Sequence, residues 1–171
     1  MTTAVEVARA PAYAGLVTRG VAFVIDAAIV NGVAFAVGAS VSLALSIFGV
    51  SLDELPTGVS VAIGAAGWLA LNLAYFAGFW ALTGQTKGMS MMAIRVARPD
   101  GENISVRRGL WRLIAMVIAA LPLFAGYLLV LVDDRRRGLH DRMAGTVVLF
   151  LTQEEIDARR GHPPAAVPHD R

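Results

Sequence analysis

The sequence predicts an all-α membrane protein: two long transmembrane helices, a third apolar segment broken by proline, and a small cytoplasmic β element. Three observations carry that prediction. The 171 residues have a mean hydropathy of +0.61, and only 16% of them are Asp, Glu, Lys or Arg, against roughly 25% in an ordinary soluble domain. The chain contains three charge-free runs of 26, 32 and 20 residues, at 27–52, 55–86 and 113–132. About 20 apolar residues at 1.5 Å each cross a ~30 Å hydrocarbon layer, so each run is long enough to span. Three helices of a soluble bundle would each need a charged face, and none has one. Such high hydrophobicity also excludes a disordered chain.

The N-terminal residues lack the basic segment and compact apolar stretch of a cleavable signal, and the first long apolar run starts only after Arg19. The first span is expected from about Thr18 to Gly49, longer than one bilayer thickness and so tilted or protruding. Ser51–Gly58, with Pro56 and Gly58, reads as a polar turn. The second span follows over about Val59 to Leu82, with Trp80 near its end, where an interfacial ring belongs. Small residues recur every four positions at Ala34, Gly38, Ser42 and Ser46, and again at Ser60 and Gly64. Such stripes let helices approach in lipid, so they are expected to pack the two spans together, with homo-oligomerisation as a weaker use.

A polar loop from Thr83 to Arg108 leads to the third run, which has Pro122 at its midpoint and Gly126 beyond. Proline removes a helical hydrogen bond and crowds the preceding turn. Two half-helices, Leu110–Leu121 and Leu123–Val132, can therefore form a re-entrant hairpin, the favoured reading, or one kinked crossing. Ile94–Arg98 and Asn103–Val106 flank the turn Pro99-Asp100-Gly101, and Thr146–Leu151 is β-branched and apolar; these three pieces suggest a small sheet. The tail from Thr152 is mixed in charge and proline-rich, expected to form a short helix and then disorder. Three units result: an N-terminal segment 1–12, a transmembrane domain 13–151 and a tail 152–171.

Basic residues set the orientation. Arg9 and Arg19 precede the first span, the 51–58 turn has no Lys or Arg, and the 83–108 loop holds Lys87, Arg95, Arg98, Arg107 and Arg108. The N-terminus and the long loop are therefore expected in the cytoplasm. The arginines suit anionic lipid headgroups, each worth ~1 kcal/mol near such a surface; nothing points to nucleic acid.

Few residues are placed to carry chemistry. With no cysteine, thiol catalysis, disulfides and Cys-based metal sites are excluded. Arg19 and Asp26, seven residues apart, project from nearly one helix face, and Asp26 lies about two turns inside the apolar run. A carboxylate there costs on the order of 2.5–3.5 kcal/mol and needs a partner or a wet pocket. It either holds the fold together or titrates as a cation or proton site. Asn72, mid-span, is a candidate hydrogen-bond partner for Asp26 or Asn31. Thr83–Gly88 lacks the spacing of a phosphate-binding loop and reads as a cap and turn, and Met89, Met91 and Met92 as interfacial filler. Asp133–Arg142 packs three carboxylates among four arginines. His140 beside Asp141 makes no metal-ligand set; Asp141 is expected to accept from Arg112 or Arg19.

Arg19, Asp26, Gly84-Gln-Thr86, the stretch Arg108–Arg112 and the segment Arg135–Thr146 with its Leu-His-Asp-Arg-Met-Ala-Gly-Thr run together resemble the RDD family of bacterial membrane proteins. The resemblance covers about 13–151. It assigns the family's arginine and two aspartates to Arg19, Asp26 and Asp141. Here Lys87 stands for the family's leucine, Met89-Ser90 for a Lys-Arg pair, and Gly138 for a common glutamine. The resemblance implies a bacterial plasma-membrane protein and no defined activity. Two classes of function follow. One is a non-catalytic accessory or scaffold subunit with a basic cytoplasmic face, bound to lipid, to partner membrane proteins or to a second copy. The other is an oligomeric cation or proton transporter using Asp26. An enzyme is not expected, since no nucleophile–base pair is present, and no cofactor is implied.

Overall fold

The computed structural model describes residues 12–50, 55–152 and 155–157. The segment 1–11, half of the expected 51–58 turn (51–54) and most of the tail, including its expected disorder, lie outside the described residues. Helix α1 spans Leu16–Ile47 and α2 spans Thr57–Leu82. Both are long and apolar enough to cross a membrane, and most of their side chains are exposed, Phe35 and Leu82 among them. In lipid such a surface is solvated, so these helices contact the bilayer directly. A short helix α3 (Lys87–Met91), strand β1 (Ile94–Ala97) and helix α4 (Val106–Ala120) follow. Then come α5 (Ala125–Leu128), a 3₁₀ turn (Leu129–Leu131), α6 (Leu139–Ala144) and strand β2 (Val147–Phe150).

The third apolar segment is sharply broken: its two arms make an angle of 111° across the Leu121–Phe124 break. Leu123 and Phe124 take left-handed backbone angles, φ 48° and 63°, unusual for large side chains. Gly126 makes the bend compact, because a Cβ there would lie 2.7 Å from the Ala119 carbonyl oxygen. β1 precedes the segment and β2 follows it, and they pair antiparallel with Ile94 opposite Phe150 and Ala97 opposite Val147. Both ends of the segment thus meet in one sheet, so the third apolar segment is bent and broken next to Pro122, an arrangement that suits the expected hairpin.

The third strand is not the one expected. Residues 103–105 form no strand, because the Ser105 hydroxyl accepts from the Arg108 amide and caps α4 instead. The sheet is extended by the chain entering α1: Tyr13 bridges Leu149, the Ala14 amide donates to the Val148 carbonyl at 2.9 Å and the Phe150 amide to the Ala12 carbonyl at 2.8 Å. Around this sheet sits the core, Ala22, Phe76, Trp80, Met89, Ile94, Val96, Ile104 and Val148. It lies where α1 begins and α2 ends.

At their small residues α1 and α2 do not touch, contrary to the packing expected from them, although the Trp68 indole reaches Asn31 across the pair. Ala34, Gly38, Ser60 and Gly64 line an open groove of about 530 Å³, and a Cβ added at Gly38 or Gly64 would meet nothing within 4 Å. Lipid chains solvate apolar helices as well as another helix does, so small residues permit contact without driving it.

Candidate functional site

Asp26 is 1% exposed, held between α1, α2 and α3. Its Oδ1 accepts from the Tyr75 hydroxyl and the Gly88 amide, each at 2.7 Å, and its Oδ2 from the Thr86 hydroxyl at 2.5 Å. The Thr83–Gly88 turn makes this possible. Thr83 ends α2, and Thr86 caps α3 by accepting from the Met89 amide. The cap aims the Thr86 hydroxyl proton at the carboxylate. The Gly84 carbonyl and the Gln85 side chain meanwhile grip β1 at Val96 and Ile94. Gly88 must be glycine, since a Cβ would fall 2.1 Å from the Ala22 carbonyl and 2.9 Å from the Asp26 carboxyl carbon. Tyr75, Thr86 and Gly88 are all neutral, and among the described residues no arginine or lysine forms an ion pair with Asp26.

Asn72 is not one of the partners. Its amide donates to the Trp68 carbonyl one turn back at 2.8 Å, and the Trp68 indole, not Asn72, bonds Asn31 at 3.2 Å. Tyr75 lies one helical turn from Asn72 on α2, and it is the tyrosine hydroxyl that reaches Asp26. The depth of Asp26 in the span signalled a polar partner; its identity depended on helix rotation and on the return of the 83–88 turn.

Asp141 is fully buried and receives two guanidiniums: Arg19 Nη1 on Oδ2 at 2.5 Å and Arg112 Nη1 on Oδ1 at 2.6 Å. The Gly138 amide adds a third bond at 2.9 Å. Arg19 also donates to the carbonyls of Ala14 and Arg136, and Arg112 to the Thr146 hydroxyl. One carboxylate thereby ties α1, α4, α6 and the entry to β2. Burial opposes its ionisation, but Arg112 and Arg19 outweigh burial and hold the carboxyl down at about 2. His140, its Nε2 3.5 Å from Asp141, is shifted the other way. Burial, reinforced by the two arginines, lowers it to about 4, so the imidazole is neutral at pH 7. The ring packs on Tyr127 with centroids 5.0 Å apart.

A second carboxylate, Asp133, organises the surface arginines. Arg137 and Arg142 both reach it, and it accepts the backbone amides of Arg135 and Arg137. Hydrogen bonds from Arg137, then Arg142, depress its pKa strongly.

Between the Asp26 and Asp141 sites lies a mostly apolar cavity of about 300 Å³. Asp26, Arg19, Arg112, His140 and Trp80 all contribute to its wall. The Arg112 guanidinium sits 5.1 Å from the Trp80 ring centroid. Sequence reasoning identified the three charged signature residues, but not Tyr75, Thr86, Gly88, Thr146 or the cavity. Of the missed residues, Thr86 and Thr146 carried a sequence signal, in the Gly-Gln-Thr and Ala-Gly-Thr motifs. No curated protein and no solved structure matches the chain. The pattern of the RDD family matches residues 13–145, spanning both carboxylate sites and the turn that joins them, and the chain belongs to that family.

Proposed function

We propose that the protein is a cation or proton transporter, working as an oligomer, in which Asp26 is the ion-handling carboxylate. The observation that supports this is the contrast between the two buried aspartates. Asp141 is locked by two guanidiniums and has the partners of a structural ion pair. Asp26 has only neutral donors and stands on a cavity wall. A carboxylate without a fixed countercharge in an apolar span keeps its charge available for an exchangeable cation. Two crossing helices per chain are too few to enclose a path, so a second copy completes it. The basic loop and the Arg135–Arg142 block support an orientation with the N-terminus and the sheet on the cytoplasmic side of a bacterial plasma membrane.

The second reading is a non-catalytic accessory or scaffold subunit, resting on anionic lipid and partner membrane proteins. The paired networks at Asp133 and Asp141 favour it, because they stiffen the face that would meet a partner. Proteins of the RDD family are not known as catalytic enzymes, and neither reading requires turnover.

Ion flux in proteoliposomes separates the two. A pH-gradient-coupled flux that falls at least tenfold in Asp26→Asn and persists in Asp133→Asn supports transport. Absence of flux in the folded wild type contradicts it and leaves the scaffold.

A further inference from the structure

The cavity between the two aspartate sites has a chemical character that ion transport does not use. Its wall is largely carbon, from Phe23, Phe76, Met116 and Phe124 among others. Yet Trp80 Nε1, Arg112 Nε and His140 Nδ1 are all buried without a hydrogen-bond partner, and all three residues belong to that wall. They are 1%, 2% and 4% exposed. A buried unpaired donor costs ~1–3 kcal/mol, and more when it is charged. Trp80 Nε1 and Arg112 Nε are donors, whereas His140 Nδ1 is an acceptor when the Nε2 proton faces Asp141; two unpaired donors around one cavity make a cost that a ligand with acceptor atoms removes.

Charge narrows the ligand. Arg19 and Arg112 share the single carboxylate of Asp141, so this end of the cavity holds one unmatched positive charge. Asp26, also on the wall, is seven residues or about 10 Å further along α1, and its oxygens already accept three hydrogen bonds. The other end is apolar and reaches the bilayer side, since Phe23 is 50% and Phe124 65% exposed. A volume of about 300 Å³ is at the small end for small-molecule sites, suited to one chain rather than two.

We propose that this cavity binds a single-chain amphiphile with one anionic head, the head at Arg112 and Trp80 and the chain running out between Phe23 and Phe124. A charge-assisted bond to Arg112 holds the head, and the Trp80 indole donates a second. The chain enters sideways from the bilayer. This goes beyond transport and does not depend on it.

The test uses carboxyl-¹³C decanoate as probe, with the full chain in phosphatidylcholine nanodiscs. The expected result is a saturable shift of the carboxyl resonance beyond that on empty nanodiscs, with 1-decanol competing at least tenfold more weakly. Trp80→Phe, which removes the unpartnered N–H together with the five-membered half of the indole, is expected to weaken binding about three- to tenfold. Gly20 lines the cavity, and a Cβ there meets nothing within 4 Å; Gly20→Phe adds a ring at the cavity wall and is expected to abolish saturable binding. Decanoyl lysophosphatidate that displaces decanoate, where lysophosphatidylcholine does not, assigns the head to a bilayer lipid; failure of both to displace it assigns a free carboxylate. The proposal is overturned by no saturable shift in the folded wild type, by equal affinity for decanol, or by unchanged binding in Gly20→Phe.

Discussion

Gly88 and Asp26 lie so close that neither tolerates enlargement of the other. With the Ala22 carbonyl 2.1 Å from a would-be Cβ, Gly88→Ala must push α3 off α1. A loss of at least about 1–3 kcal/mol is expected from overpacking alone, together with loss of the amide bond to Asp26; thermal unfolding in detergent measures it. Thr86→Val keeps the shape but removes the hydroxyl donor and the cap, and is expected to cost about 1–3 kcal/mol. At Asp141, Arg112→Gln leaves a buried carboxylate with one partner fewer, worth about 3–5 kcal/mol. The acid response has two parts. Asp141 is held at about 2 when folded, below the ordinary aspartate value, so its contribution is complete above pH ~4 and is lost as pH falls toward 2. His140, lowered to about 4, binds its proton more readily when unfolded, so stability falls as pH drops from ~6.5 to 4. His140→Gln is expected to flatten the stability profile between pH 6.5 and 4 while leaving the steeper loss below pH 4. An unchanged slope in that variant would sink the assignment.

At the scale of elements, the spans were readable because charge placement is a one-dimensional signal: α1 and α2 begin and end within two residues of the expected bounds. The broken third segment was readable from Pro122, and its direction of return from the β-branched run that pairs back to Ile94. What the sequence did not carry was rotation and reach. Tyr75 and Asn72 lie one turn apart on α2, and a linear reading does not show which of them reaches Asp26. The edge strand at Tyr13 was illegible for a similar reason, since a two-residue pairing has no pattern of its own. Ser105 competed for the third strand with a good N-cap and won. Ser105→Ala is therefore expected to destabilise α4 by about 0.5–2 kcal/mol without altering the β1–β2 pair, a difference that amide hydrogen exchange resolves by element. The bend itself holds Leu123 at φ 48°, and Leu123→Gly, at a site 91% exposed, is expected to stabilise the hairpin by about 1 kcal/mol.

For the whole molecule, the sheet gathers the start of α1, the end of α2 and both arms of the hairpin to one side, while the Leu55 turn stands at the other. The natural absence of cysteine makes single-cysteine labelling clean. Cysteines placed at Arg98 and Arg136 are expected to react from the same side of sealed vesicles, and one at Leu55 from the opposite side. Reaction of position 136 together with Leu55 would contradict the hairpin. The two aspartates differ in their partners: Asp141 binds the elements together through two arginines, and Asp26, held by neutral donors, stands on the cavity wall. That difference is testable on the wild-type carboxylate itself, by infrared difference spectroscopy of the folded protein as pH or sodium is changed. A reversible carboxyl band that disappears in Asp26→Asn and survives in Asp133→Asn is expected. A folded wild type that shows no ion-dependent band, or one that keeps it in Asp26→Asn, would contradict the claim that Asp26 handles an ion.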